Sequence, residues 1–294
     1  MSPGCGAEPA ALGQIRRLKP DEFEAIRRLA YDKFGLDLRH GKEELVAARL
    51  GKRMREGGFA TFEAYYQHVV GDRSGEALIA MIDALATNHT SFLRETAHFD
   101  FLRQRVLPGL RERARIEFWS AACSTGEEPY SLAFTLADAW GEEVFRRVRI
   151  LATDISTKAL ASAQKAVYPA ERFHAFPPSW MPQFLLRGEG RWQGWYRVRP
   201  EVRNRVEFAR LNLIEPFAHQ NLFPVIFCRN VMIYFDKPTQ EALVNRLAAS
   251  LEPGGYLSIG HAESLTGVRH GLNYLRPATY QKPGCPPGAA RRSR

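Results

Sequence analysis

The sequence predicts an α/β fold: a mostly parallel, doubly wound sheet carrying a small β-insert, preceded by an all-α N-terminal domain. Three observations predict it. Residues 20–85 read as a series of short helices with no alternating run. From about residue 115 short apolar strands alternate with helical stretches, the pattern of βαβ units. One segment, 170–206, breaks that alternation at a length too great for an ordinary loop.

The helical part opens with PDEFEAIRRLAYDKFG (20–35), which starts at Pro20-Asp21 and stops at Gly35. GKEELVAARLGKRMREGG (41–58) puts Val46, Leu50 and Met54 in one i+4 row, with Arg49, Lys52 and Arg55 in an i+3 row elsewhere on the surface. TFEAYYQHVV starts at a Thr61 cap, and GEALIAMIDALAT (75–87) adds another helix.

In the α/β part, RIEFWSAA (115–122), RVRILATD (147–154), RVEFARLNL (205–213), FPVIFCRN (223–230) and YLSIGHAE (256–263) read as strands. Between them, EEPYSLAFTLADAW (127–140), ISTKALASAQKAV (155–167) and KPTQEALVNRLAASLEPGG (237–255) read as helices. Pro129 falls in a first turn, where its missing N–H is harmless, and the last helix ends on a glycine stop. LNYLRPATYQK (272–282) supplies a terminal hairpin. Within 170–206, GEGRWQG is a hairpin turn between FLLR and WYRVR, hence the β-insert. The expected boundaries are a helical domain at 14–86, a linker at 87–95 and the α/β domain at 96–282. The compositions of 1–12 and 283–294 predict disorder.

Composition excludes several classes. At 294 residues, 45% apolar and 25% charged, the chain can bury a substantial core. It has no apolar run long enough to span a bilayer, and its N-terminus lacks the pattern of a secretory signal. Four scattered cysteines, at 5, 123, 228 and 285, fit neither a disulfide scaffold nor a metal-ligand spacing. Reduced thiols in a cytoplasmic protein, with no metal, are expected. The net charge of +9 fits an arginine-rich composition or an acidic partner.

The chemistry lies in SAACSTGEEPYSLA (120–133). A strand end there passes through small residues, Ser124, Thr125 and Gly126, into a helix start, where doubly wound sheets bind ligands. Neither GxGxxG nor GxxxxGK[ST] is present. Glu127 and Glu128 would repel a pyrophosphate at short range, so a cationic ligand fits better. S-adenosylmethionine carries a sulfonium and an ammonium and no phosphate. Asp154, ending the next strand, suits the ribose hydroxyls, and it also suits a helix N-cap.

Five segments, TNHTSFLRE (87–95), SAACSTGEEPYSLA, ATDIS (152–156), LNL (211–213) and FCRNVMIYFD (227–236), together resemble the CheR family, the chemotaxis receptor glutamate methyltransferases. The resemblance runs in order over residues 15–282. It implies a Rossmann-like S-adenosyl-L-methionine-dependent methyltransferase domain, with S-adenosyl-L-homocysteine as product. The cofactor contacts carried over are Asn88, Thr90, Arg94, Glu128, Asp154, Asn212, Leu213, Arg229 and Asn230. Arg94 is expected to fork onto the ligand carboxylate or approach the acceptor glutamate, and Tyr234 to line the transfer site. Glu128 is expected to meet the ligand ammonium and Asn212 the adenine edge.

The resemblance also implies partners. A chemoreceptor cytoplasmic domain would offer acidic methylation helices to Arg49, Lys52, Arg53 and Arg55, or those residues simply form a solvated face. A receptor C-terminal peptide could dock on the insert, where Trp192 and Trp195 are either core or exposed surface. Trp119 reads as core, and Cys123 and Cys228 as small buried fillers. The chain is expected to be monomeric, with no nucleic acid and no membrane insertion. Two rivals stand beside this reading. A nucleic-acid methyltransferase draws on the charge and the RRSR tail, but FCRNVMIY stands where an NPPY-like base-flipping segment would. A non-catalytic cofactor-binding module is the other.

Overall fold

The computed structural model describes residues 17–86 and 90–284 and divides after Thr87 into two compact units. Asn88, His89 and both tails therefore lie outside the described residues. The first unit holds α1 (Pro20–Phe34), α2 (Glu43–Gly57), α3 (Phe62–Gly71) and α4 (Glu76–Leu85). Gly35 and Gly58 close α1 and α2 with φ of 68° and 74°, the left-handed turn that favours glycine. Thr61 caps α3, its hydroxyl accepting from Ala64 N at 3.2 Å. Val46, Leu50 and Met54 are buried in a row, as the 3.6-residue period dictates.

The second unit begins with a helical run, α5 (Ala97–Phe101) and α6 (Leu107–Leu110), joined by a π-turn at Leu102–Val106. Then come β1 (Ile116–Ala121), α7 (Glu127–Trp140), β2 (Val148–Asp154) and α8 (Thr157–Lys165). The insert contributes β3 (Val167–Pro169), α9 (Trp180–Phe184), β4 (Leu185–Arg187) and β5 (Trp195–Val198). Its three strands form an antiparallel sheet of order β3-β5-β4, with the expected turn between β4 and β5. It starts at Val167, earlier than the 170 predicted, because Ala166 adopts a left-handed φ of 54° and ends α8 abruptly.

The chain returns through α10 (Pro200–Arg203), β6 (Val206–Arg210), β7 (Phe223–Cys228), α11 (Lys237–Ser250), β8 (Leu251–Ser258), β9 (Asn273–Arg276) and β10 (Thr279–Gln281). The last helix is shorter and the next strand longer than the sequence suggested. Pro253 excludes Glu252 from helical geometry, so α11 must end by Leu251, and the Pro-Gly-Gly run lies inside β8.

Strand order is β6-β2-β1-β7-β8-β10-β9, parallel from β6 to β8, with an antiparallel hairpin at the edge. Two apolar layers cover the sheet. One gathers Phe92, Phe134, Tyr168 and Phe184; the other gathers Trp119, Leu213, Val244 and Leu257. All six residues of β7 are buried, as befits a strand covered on both faces. Strand order reverses between β1 and β7: β2 and β6 extend to one side, β8 to the other. A ligand crevice belongs at the carboxyl ends there.

Candidate active site

The loop from β1 to α7 is shaped by three left-handed residues, Ala122, Ser124 and Gly126, with φ of 65°, 50° and 96°. Gly126 has no alternative. A Cβ there would lie 2.8 Å from Ala163 Cβ and 2.9 Å from the Tyr168 hydroxyl oxygen. The Tyr168 hydroxyl donates to Thr125 O at 2.7 Å, fastening the loop from the insert side.

Asp154, at the end of β2, fastens the other side. Its Oδ2 accepts from Ser124 N at 2.7 Å and its Oδ1 from Ser156 N at 2.9 Å. The helix cap is Ser156, whose hydroxyl accepts from Ala159 N; Asp154 holds the cap's main chain and is not the cap itself. Leu211 N donates to Asp154 O at 3.0 Å, so the end of β6 is registered on the same residue.

The two adjacent glutamates face different ways. Glu127 is 1% exposed and turned into the protein, where the Thr125 hydroxyl donates to it at 2.6 Å and Arg172 sits 3.4 Å away. Arg172 also donates to Thr90 O at 2.8 Å, tying the 90–95 segment to the insert. Glu128 lies toward the crevice. The Ser120 hydroxyl donates to Oε1 at 2.7 Å and Arg229 donates to Oε2 at 2.9 Å. Burial pushes the Glu128 carboxyl above the usual range, while the charge of Arg229 and the bonds from Ser120 and Arg229 pull it back.

Arg229 is the hub. Its side chain is buried and forms a second ion pair with Glu95 at 3.0 Å, and it donates to the Arg94 carbonyl. Asn230, at φ 59°, donates through Nδ2 to Glu95 Oε1 at 3.3 Å and through its main-chain N–H to Glu263 at 2.9 Å. Glu263 also accepts from Gly260 N at 2.6 Å. A Cβ on Gly260 would fall 2.4 Å from Asn230 Nδ2, so this close approach requires glycine. Burial pushes the Glu95 carboxyl up, but Arg229, Asn230 and the His261 N–H outweigh it and hold it below its ordinary range.

The structure thus places Arg94, Glu128, Arg229 and Asn230 in one hydrogen-bonded cluster, with Asp154 and the 211–213 turn farther along the same strand ends. Asn212 lies half-buried in its own turn, Nδ2 donating to Glu215 at 2.8 Å, and Leu213 is buried beneath it. Tyr234 is on the short turn after β7, half-buried against the core. Asn88 lies outside the described residues. Glu95, Glu263 and Arg172 were missed by sequence reasoning, since each acts on a site residue from a distant segment. The contiguity of Glu95 with Arg94 was the one available signal.

The fit to a positively charged nucleoside is visible in the donors and acceptors. Glu95, Glu128 and Asp154 gather at the strand ends, and no lysine or arginine cradle for a phosphate stands on the 122–126 loop. The Ser124 hydroxyl is buried with no hydrogen-bond partner among the described residues, which leaves one polar atom in this loop for a ligand to satisfy.

A doubly wound sheet with carboxylates gathered at its reversal point is compatible with an S-adenosylmethionine-binding methyltransferase. Comparisons agree and go further. The family model described as "CheR methyltransferase, SAM binding domain" matches residues 88–280, and "CheR methyltransferase, all-alpha domain" matches 21–86. The chain belongs to the CheR methyltransferase family. It is 40% identical over 277 residues to the "Chemotaxis protein methyltransferase" of Klebsiella aerogenes, covering 93% of each chain. With that of Borreliella burgdorferi it shares 37% over 270 residues, 89% of this chain and 94% of the other. With that of Escherichia coli it shares 37% over 265 residues, 89% and 91%.

Proposed function

We propose that the chain transfers a methyl group from S-adenosylmethionine to glutamate side chains of a chemoreceptor's cytoplasmic domain, forming methyl esters. The observation that carries this reading is the Glu128–Arg229–Glu95 cluster set beside Asp154 at the sheet's reversal point. It supplies carboxylates for a cationic donor, and the transfer calls on no general base. None is needed, because a glutamate with a pKa near 4.3 reaches the site already ionised.

When bound, the cofactor supplies an electrophilic methyl group on a positively charged sulfur. The chain's own residues bind, orient and exclude water. Asp154, oriented by one main-chain N–H on each oxygen, takes the ribose hydroxyls. Glu128, whose burial is partly offset by its pairing with Arg229, takes the ligand's cationic end. Asn212 and Leu213 border the adenine, and Thr90 and Asn230 close the walls. Arg229 acts through Glu128 and the Arg94 carbonyl, because its guanidinium is committed there. Arg94 orients the incoming carboxylate, and Tyr234 screens the transfer point from water. A partly dry site favours the step, since opposite charges on donor and acceptor cancel as the methyl moves.

The receptor reading extends to the helical unit with one revision. Arg49 donates to the Leu85 carbonyl at the end of α4, so it serves that helix, and Arg53 lies 3.6 Å from Glu56. Lys52 and Arg55 are exposed and are the residues to offer an acidic helix. On the insert, Trp192 and Trp195 are 48% and 38% exposed in an edge-to-face pair, which suits a docking peptide better than a core. No helix among the described residues is long and apolar enough to cross a membrane.

The test is incubation with methyl-labelled S-adenosylmethionine and a receptor cytoplasmic fragment, then mild base. Volatile methanol is expected. Label that stays on nitrogen, or in nucleic acid, would replace this reading with one of its rivals.

A further inference from the structure

Two histidines that methyl transfer does not use converge on Glu95. One ligand-type atom from each of Glu95, His98 and His261 lies within 4.8 Å of the others. His98 is 2% exposed, yet neither ring nitrogen has a hydrogen-bond partner among the described residues. A core imidazole ordinarily ties at least one nitrogen, because leaving both bare forfeits hydration at two polar atoms. Its ring stands edge-on to His261 with centroids 4.8 Å apart. The buried ring therefore has nitrogen atoms whose bonding capacity the described protein leaves unused, and a neutral imidazole offers one of them as a lone pair to a cation.

His261 is exposed, which gives the cluster an entrance from solvent. Its main-chain N–H donates to Glu95 Oε2 at 3.1 Å, so its backbone is anchored beside the other two. Glu95 Oε2 also takes Arg229, whereas Oε1 receives the longer bond from Asn230. Oε1 is therefore the oxygen that can exchange partners at least cost. Nearby, Glu95, Glu128 and Glu263 outnumber the buried guanidinium of Arg229.

We propose that Glu95, His98 and His261 form a binding site for a borderline divalent transition ion, with Zn²⁺ as the reference ion, and that its occupancy opposes the methyl donor. Two imidazoles and a carboxylate select zinc-like ions over magnesium or calcium, which prefer all-oxygen shells. Bonds of about 2.0–2.1 Å in a tetrahedron set ligand atoms roughly 3.3 Å apart. A pair at the 4.8 Å limit must therefore close by about 1.5 Å, and His261 is the one exposed side chain of the three, so its ring can turn without disturbing the core. The ion would add positive charge beside the Arg229–Glu128 pair, where the cationic donor is read. The product lacks the sulfonium charge and would be opposed less.

The experiment uses the untagged, chelator-stripped full chain. Calorimetric titration with zinc chloride should show one ion per chain. His261→Ala should weaken binding about tenfold or more while leaving the melting temperature in chelator unchanged, and His98→Gln should weaken it similarly. Saturating zinc should raise the Kd for S-adenosylmethionine by a larger factor than that for S-adenosylhomocysteine. Absence of stoichiometric binding, or binding untouched by either substitution, overturns the site. Equal effects on the two ligands overturn the opposition. The zinc titration needs no methyl donor, so its result stands apart from the methyltransferase reading.

Discussion

Asp154→Ala tests the centre of the site, and the structure sets the size of the effect. The residue is 8% exposed, and its carboxylate holds two main-chain donors, Ser124 N and Ser156 N, at 2.7 and 2.9 Å. Hydrogen bonds to a charged acceptor contribute about 1.5–3 kcal/mol each. Losing even one of the bonds to the ribose corresponds to roughly a 10- to 150-fold rise in Kd, and losing both to more. Separately, two main-chain donors lose their acceptor, which should lower stability by about 2–6 kcal/mol. Calorimetry with S-adenosylhomocysteine reads the first effect and urea denaturation the second. Ser124→Ala separates them: it removes the unpartnered hydroxyl and leaves the main-chain bond to Asp154, so it should weaken the ligand only modestly at unchanged stability. A folded Asp154→Ala chain whose Kd stays within about twofold of wild type would remove the ribose assignment and the site built around it.

Gly126→Ala should cost about 2–5 kcal/mol, from a side chain forced to positive φ and a 2.8 Å contact with Ala163, as a urea midpoint will show. Arg229→Met should destabilise by about 3–5 kcal/mol by stranding Glu95 and Glu128; a neutral result would mean that these acids take up protons or water freely. His98 gives a pH signature. Burial, then Arg229, hold its folded-state pKa near 3, below the unfolded value of 6.5. The unfolded chain thus binds this proton first, and stability present above pH 6.5 is lost on acidification, by about 2 kcal/mol between pH 6.5 and 5. His98→Gln should flatten that slope, and an unaltered slope would refute the burial argument. In the helical unit, Lys52→Glu with Arg55→Glu should raise the receptor KM and spare cofactor affinity; parallel loss of both would signal misfolding.

The fold was legible where local rules decide. The βαβ alternation, the Gly35 and Thr61 caps, the 188–194 turn and the terminal hairpin all depend on neighbours in sequence. The end of α11 was legible too, had Pro253 been weighed above the glycines that follow it. The site was legible to the extent that its parts end strands, because a parallel sheet brings carboxyl ends together whatever lies between. That logic reaches Glu128, Asp154, Asn212 and Arg229.

It cannot reach the partnerships. Adjacent Glu127 and Glu128 look equivalent in sequence, yet one helical step turns Glu127 toward Arg172 and Glu128 toward Arg229. The repulsion argument that excluded pyrophosphate therefore rests on Glu128 with Glu95 and Asp154, more than on the glutamate pair itself. Arg49 makes the same point from the other unit. In sequence it is one more cation in a basic row, but folding assigns it to the Leu85 carbonyl. A charge reversal there would disturb α4 before it disturbed any partner. Charge counting identifies which ions a site can attract, and only the fold decides which of its own charges are already spent on each other.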